Sequence, residues 1–511
     1  MALPTGNIEW PPPRLRPALT AMNCWDAWYG GDPERLTALY GGGSAGPDPK
    51  PLQYSTGVMG RFARWWWGTP PAPGEQRTKL HVPIAGDICG ASSDLLFSEA
   101  PVLRAGDDTT QKRLDAISDE GMHASLQTAA EVAAALGGVY LRPVYDPKLR
   151  DRPWLDAVHH DRAVPEFTWG QLSAVTFWRI LAQDNGEVWR HLERHEPGAT
   201  LHGLYKGTSD KLGMLMPLEE HPATAGFASL VDEQGAIPTA YKGLDTAYIP
   251  NQNSRRWRGI PALTDLGRSD LESTEPLMDA LDEAYASWMR DVRLAKGRIV
   301  VPNAFLQNNG PGKGASFNPD QEAYAGLDML TKGSDGAQLT VVQFAIRVKE
   351  HQDTVNDLID QILRTAGYSG QTFGRGGDVA VTATEVTARE RRSMTTRGRK
   401  TLRWQDGLAH ALDALLAVDA EVFRSGVTPQ RPVVEFGDSV SEDPLTLANT
   451  IEALARAEAA SAETKVRMLN PDWDDTLVRA ETDRIMKESG RLVGDPTMPG
   501  AGGMAGGGFP G

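Results

Sequence analysis

Gly310-Pro311-Gly312-Lys313-Gly314-Ala315-Ser316 has the flavour of a phosphate-cradling loop, in which glycine amides surround a phosphate and a lysine reaches it. The pattern fails one position later, because Gly314 stands where a magnesium-holding Ser or Thr belongs. Gly374-Arg375-Gly376-Gly377-Asp378-Val379 lacks the third glycine of a dinucleotide fingerprint and precedes, rather than follows, a strand and helix pairing. His159-His160-Asp161 places three metal-ligating types in a row. Neighbours along a strand point to opposite faces, so one ion seldom takes all three, and solvated surface is the expectation. Neither a G-x-S-x-G elbow nor an H-E-x-x-H helix occurs. Two cysteines, Cys24 and Cys89, supply neither a disulfide framework nor a metal site, and suit a reducing compartment. These residues predict a chain without catalysis, cofactor or metal.

What remains is charge. Seven cationic side chains fall within fifteen residues, Arg389, Arg391, Arg392, Arg397, Arg399, Lys400 and Arg403. They could touch nucleic acid phosphates, or pair with carboxylates on an adjacent acidic subunit, and the second reading is favoured because such pairs fix orientation without nucleic acid. The whole chain carries a formal charge of −15, which argues against a broad grip on DNA, since sequence-independent affinity comes from Lys and Arg neutralising phosphates. Acidity of this kind also simply keeps a large protein in solution.

The elements that must position these groups follow from periodicity. Between Glu275 and Arg298, Leu277, Met278, Leu281, Tyr285, Trp288, Met289, Val292 and Leu294 share one helical face. Two β-rich runs, 298–301 and 339–344, flank a segment with Gly310, Pro311, Gly312 and Gly314, and predict a small exposed β element. Val355, Leu358, Ile359, Ile362 and Leu363 mark a second amphipathic helix that ends at Gly367. Tyr368 to Asp378 holds four glycines in eleven residues and predicts a loop that is easy to move. A long helix then runs from Thr384 to about Arg424, with Gly398 as a possible kink and Leu408, Leu412, Leu415, Leu416 and Phe423 on one stripe.

Upstream, residues 80–97 and 118–136 predict buried helices, the second rich in alanine. Runs at 139–144, 154–158, 174–178, 187–192 and 200–205 predict a meandering antiparallel sheet. Downstream of a boundary near Gly437, helices are expected over 443–468 and 472–488, the latter capped by Asp472. The first 75 residues suggest an arm with one or two helices and a Trp65-Trp66-Trp67 triplet, packed on the chain's own core or on a neighbouring subunit. From Gly494 the small-residue tail cannot order itself. No run approaches the eighteen or so apolar residues of a membrane helix, and no basic-then-apolar leader is present, so a soluble protein is expected.

An ordered set of motifs resembles the portal proteins of tailed bacteriophages, of the type found in phages and prophages of actinobacteria. It comprises His81-Val82-Pro83-Ile84-Ala85-Gly86-Asp87 with Ser93-Asp94-Leu95-Leu96-Phe97-Ser98-Glu99, then Gly267-Arg268-Ser269-Asp270 continuing through Leu277 to Glu283 and Trp288-Met289-Arg290. Thr382-Ala383-Thr384-Glu385-Val386-Thr387-Ala388-Arg389-Glu390 follows, and Leu469-Asn470-Pro471-Asp472-Trp473 with Arg484-Ile485 adds a weaker part. The likeness spans roughly residues 75 to 490.

The resemblance implies a mostly helical α+β subunit that closes with itself into a ring of twelve. Its parts would be an N-terminal arm (1–75), a wing (76–270), two stem helices (271–298 and 347–367), and a β-rich clip (299–346). A tunnel loop (368–383), a long kinked helix returning to the wing (384–440), crown helices (441–493) and the glycine-rich tail (494–511) would complete it. Gly370, Gln371, Thr372, Phe373, Gly374, Arg375, Gly376, Gly377 and Asp378 would then line the channel. Double-stranded DNA would pass through without sequence recognition, repelled by acidic walls. The expected partners are the terminase large subunit, the major capsid or scaffolding protein and the head-tail connector proteins, with no membrane. The expected location is the portal vertex of the virion, after synthesis in the bacterial cytoplasm. The competing expectation is another virion ring, such as a minor capsid or head-tail adaptor protein.

Overall fold

A computed structural model describes residues 3–41, 80–146, 148–294, 298–300, 307–308, 315–316, 340–342, 347–375, 383–437, 444–457, 459–470, 473 and 475–488. The Trp65-Trp66-Trp67 triplet, most of the 299–346 segment, Gly376 to Asp378, Asp472 and the glycine-rich tail lie outside them. The architecture is α+β, and the chain divides into two compact units, 1–380 with 386–437 and 381–385 with 438–511.

The larger unit begins with α1 (Arg16–Gly30) and α2 (Pro33–Gly41), then α3 (Ile84–Phe97), β1 (Val102–Arg104), α4 (Asp108–Ser118) and α5 (Met122–Leu136). The helix expected over 118–136 is α5, starting at Met122, and α4 before it is a further helix that the periodicity did not mark. Asp107 caps α4 through Thr109 N and Thr110 N, and Gly121 takes a left-handed conformation (φ 86°) that breaks the chain before α5. Ala129, Ala130, Ala133, Ala134 and Ala135 are all buried, and their small side chains let α5 lie close against α3 and α1.

Next come β2 (Gly138–Val144), β3 (Trp154–His159), β4 (Ala163–Thr168), β5 (Gln171–Asp184), β6 (Glu187–Glu196), β7 (Ala199–Gly207) and β8 (Met214–Met216). After α6 (Pro222–Ala225) follow β9 (Ala236–Pro238) and β10 (Ala247–Pro250). Three of the expected runs, β5, β6 and β7, lie in an antiparallel meander that also takes in β4 and β8, in the order β4-β5-β6-β7-β8 with β9 on β7. Val139 to Val158 leaves the meander, because β2 and β3 pair in a separate sheet, β10-β2-β3. Asn185-Gly186, both at positive φ, make the tight β5–β6 turn that the right-handed twist of hairpin strands requires.

Then α7 (Glu275–Leu294) leads to β11 (Arg298–Val300), β12 (Gln307–Asn308), β13 (Ala315–Ser316) and β14 (Thr340–Val342), with β11 antiparallel to β14 and β12 to β13. Helix α8 (Val348–Ala366) returns, and α9 (Ala383–Val422) runs 40 residues, about 60 Å at 1.5 Å per residue. Gly398 lies within this single continuous helix. At Gly407 an added Cβ would meet Ile249 Cγ1 at 2.4 Å, so glycine is what allows α9 to press directly on β10. Trp404, Leu408 and Leu412 of α9 share a core with Phe97, Leu126, Ala130 and Ile249. β15 (Val433–Glu435) closes the unit by pairing with β1.

In the smaller unit, the expected helix over 443–468 is two, α10 (Pro444–Arg456) and α11 (Ala462–Leu469), and α12 (Asp475–Glu488) follows. Ser461 starts α11 by accepting from Thr464 N. Val466 and Val478 are buried, and Arg467 pairs with Asp475 at 2.7 Å.

Candidate functional site

The candidate site is the junction where α7 and α8 meet and the chain turns from α8 into α9. The end of α7 faces the start of α8: Asp291 bonds His351 Nε2 at 2.9 Å and Arg347 Nη2 at 3.2 Å, and the Trp288 and His351 rings stack 6.0 Å apart. The two amphipathic helices are thus an antiparallel pair. Val355, Ile362, Leu363 and Ala366 are the buried face of α8 and share a core with Met278 and Leu281 of α7. The other face of α8 presents Glu350, Asp353, Asp357 and Asp360 to solvent. Two further bonds anchor α7, Trp25 Nε1 to Glu275 Oε1 at 2.8 Å and His81 Nδ1 to Asp282 Oδ2 at 2.9 Å.

Gly367 ends α8 in the left-handed region (φ 102°), and its carbonyl accepts Thr396 Oγ1 at 2.7 Å. Tyr368, 2% exposed, then points into a buried polar cluster and donates to Asp270 Oδ2 at 2.7 Å. Lys400 Nζ meets the same oxygen at 2.5 Å, Ser92 Oγ at 2.6 Å and Tyr368 Oη at 3.1 Å. Asp270 Oδ1 accepts from Asn251 and Gln252, each at 2.8 Å. Burial alone would raise the Asp270 carboxyl, but the Lys400 ammonium and the hydrogen bonds from Tyr368 and Asn251 outweigh it and hold the group below its ordinary value. Burial pulls Lys400 below its usual value, with Asp270 pulling it back. Asp270 lies in the Gly267-Arg268-Ser269-Asp270 motif and Ser92 on α3, so one ion pair and its hydrogen bonds tie five separated stretches of chain together.

Of the expected channel loop, Gly370–Phe373 is a 3-10 turn rather than open loop, capped by Ser369, which accepts from Gln371 N. Ser393 of α9 holds it from behind, accepting Ser369 N at 2.9 Å and lying 2.7 Å from Thr372 Oγ1. Arg375 reaches back to α8, donating to Asn356 Oδ1 at 2.8 Å and Asp360 Oδ1 at 3.2 Å. The described part of the segment is therefore tied at both ends.

The basic run divides by helical face, and part of its expected role is corrected. Lys400 is 1% exposed and serves neither DNA nor a neighbouring subunit. The reason is its register: Ser393, Thr396, Lys400, Trp404 and Leu408 form one inward stripe of α9. Arg397 is also internal, donating to Leu95 O in the last turn of α3 at 2.6 Å and to Gly437 O, where free helix carbonyls attract cations. Arg392 is exposed, yet bonds Arg364 O at 2.5 Å, and Arg403 bonds Asn253 Oδ1. Arg391 and Arg399 are exposed with no ion-pair partner among the described residues. The side chain of Arg389 lies outside them.

Beside α9 an open cleft of about 770 Å³ is lined by Phe167, Gln171, Arg258, Arg403, His410 and Arg431, among others. On the β4–β5 hairpin Trp169 sits in the left-handed region (φ 54°), 98% exposed.

The sequence reading missed a histidine network inside the meander. His195, 3% exposed, directs Nδ1 to Asp245 at 2.7 Å and Nε2 to Glu193 at 2.9 Å. Burial works against its charge, but the two carboxylates prevail and push it up to about 9. Arg179 Nε donates to His191 Nδ1 at 3.2 Å, so His191 is left to donate through Nε2 to His202 Nδ1 at 3.1 Å. Burial lowers these two to about 3 and about 4, with partial opposition from Glu193. His160 of the His159-His160-Asp161 run is buried core rather than solvated surface: Nδ1 meets Leu136 O, Nε2 faces Tyr248 Oη, and burial lowers it to about 4. No metal-binding group of His, Cys, Asp and Glu exists among the described residues. Of the phosphate-loop-like run only Ala315 and Ser316 are described, as strand β13.

Compared with known proteins, the chain matches no family model and no curated protein sequence.

Proposed function

We propose that this chain is a portal subunit, closing with identical copies into a ring, twelve by resemblance, through which double-stranded DNA enters and leaves a capsid. One observation carries the reading. Two antiparallel amphipathic helices, α7 and α8, are joined at their far ends through the β11–β14 pair and continue through a tight turn into the 40-residue α9. That order supports the reading, because the resemblance implies stem, clip, tunnel loop and long helix in the same sequence.

In this reading α7 and α8 form the channel wall and the segment after Phe373 meets the duplex. The β-sheets form the wing, α10 to α12 the crown, and the clip docks the terminase and later the connector proteins. The chain acts by shape and charge, without catalysis of its own. The test is imaging of the purified protein along its axis with native mass spectrometry: a ring of uniform copy number with an opening wide enough for a duplex is expected. A compact single chain sinks the proposal, and a ring without such an opening favours an adaptor protein. Deleting 370–377 should slow DNA packaging while leaving rings intact; packaging at the normal rate removes the loop from the mechanism.

A further inference from the structure

We infer that one ring contact is an ion-pair seam between two helices of neighbouring copies, with the Arg391 and Arg399 face of α9 set against the Glu350, Asp353 and Asp357 face of α8 on the next copy. The inference rests on the portal reading and adds the partner surface to it.

Two features of the larger unit carry the inference. On α9, Arg391 and Arg399 are exposed and lack an ion-pair partner among the described residues, and Arg399 stands four residues from Arg403, a like-charge spacing that weakens a helix. On α8, Glu350, Asp353 and Asp357 are exposed and equally without a cation, and Asp353 and Asp357 repeat the unfavourable spacing with opposite sign. Attraction to the N-terminal end of the helix dipole accounts for Glu350 but fades beyond the first turn, so it does not account for the two aspartates. Along their helices the outer charges of the two faces are about 10 and 12 Å apart, from seven and eight residues at 1.5 Å each. The faces thus match in sign and spacing.

They do not meet within one copy. α9 crosses α8 at its C-terminal end, where Arg392 bonds Arg364 O and Thr396 bonds Gly367 O. Asp353 lies eleven residues, about 16 Å along the axis, before that crossing. Leu402, 69% exposed on the arginine side of α9, adds an apolar contact that a second copy would cover.

The test is charge reversal with rescue. Arg391→Glu with Arg399→Glu should lower the ring-to-subunit ratio by roughly tenfold at low salt, measured by native mass spectrometry and light scattering. Adding Glu350→Lys, Asp353→Lys and Asp357→Lys to the same chain should restore rings, and the wild-type rings should loosen as salt rises. Arg391→Gln with Arg399→Gln provides a milder variant, and circular dichroism verifies that each folds. Rings unchanged by reversal overturn the seam and leave the portal reading standing; so does unchanged assembly with weakened binding to a duplex, which would assign the arginines to DNA. A wild-type chain that stays single overturns both.

Discussion

Replacing Lys400 by Met should be among the most damaging single changes in the larger unit. The substitution keeps the length of the side chain and removes its charge. It leaves the Asp270 carboxylate, wholly buried, with hydrogen bonds from Asn251, Gln252 and Tyr368 but no counter-charge. Stranding one partner of a buried ion pair costs about 3–5 kcal/mol, which raises the unfolded fraction by roughly two to three and a half decades. Asp270→Asn in the same chain should recover much of that loss, because an Asn Oδ1 still accepts from Asn251 and Gln252 while no charge remains to be stranded. A double-mutant cycle in urea, followed by tryptophan emission and far-ultraviolet circular dichroism, should give a coupling of at least about 2 kcal/mol. The pH dependence provides a second reading. Because the folded Asp270 carboxyl sits below its ordinary value, its stabilisation is present above about pH 4, the unfolded value, and is lost as pH falls through the depressed folded one. The double variant should lack that acid limb. A Lys400→Met protein within about 1 kcal/mol of the parent, or strictly additive single changes, would refute the pair as the clamp beneath the α8–α9 turn.

The histidine network gives a pH optimum with two separable limbs, measured by thermal melting. His195, raised to about 9, adds stability that is full below its unfolded value near 6.5 and lost as pH rises through 9, so His195→Gln should flatten the alkaline limb. His191 and His202, lowered to about 3 and about 4, act on the other side: the unfolded chain takes up protons below about 6.5 while the folded one refuses them, so stability falls toward acid and a His202→Gln variant should show less of that fall. Gly367→Ala should destabilise by about 1–3 kcal/mol in urea, since φ is 102° and the new Cβ would stand 3.0 Å from Thr396 Oγ1. Trp169→Asn should leave stability unchanged or raise it by up to about 1 kcal/mol, because the indole is almost fully exposed and Asn tolerates the left-handed backbone better. A lower melting temperature for that variant would mean the indole has a contact within the fold.

What could be read from the chain, and what could not, divides along the type of residue that faces inward. α7, α8 and the second half of α9 bury Leu, Ile and Met at helical spacing, and the meander strands are bounded by Gly, Pro and Asp, so hydrophobic periodicity found them. Their ends were less legible: Gly121 delays the start of α5 to Met122, and Ser461 begins a second helix in a pattern that looked continuous. The first half of α9 deceived for a deeper reason. Its inward stripe is Ser393, Thr396 and Lys400, which periodicity scores as a wet face, and only the tertiary partner Asp270, 130 residues earlier, makes Lys400 a core residue. The central strand β6 repeats the lesson, since His191, Glu193 and His195 alternate like a solvated face while Arg142, Asp245 and His202 come from elsewhere to satisfy them. A buried charge is tolerable only with a partner, and partners distant in sequence leave no local trace. For that reason, composition alone treated all seven cations of the basic run as one outward surface, whereas the fold separates the arginines that remain outside from the lysine that holds the turn.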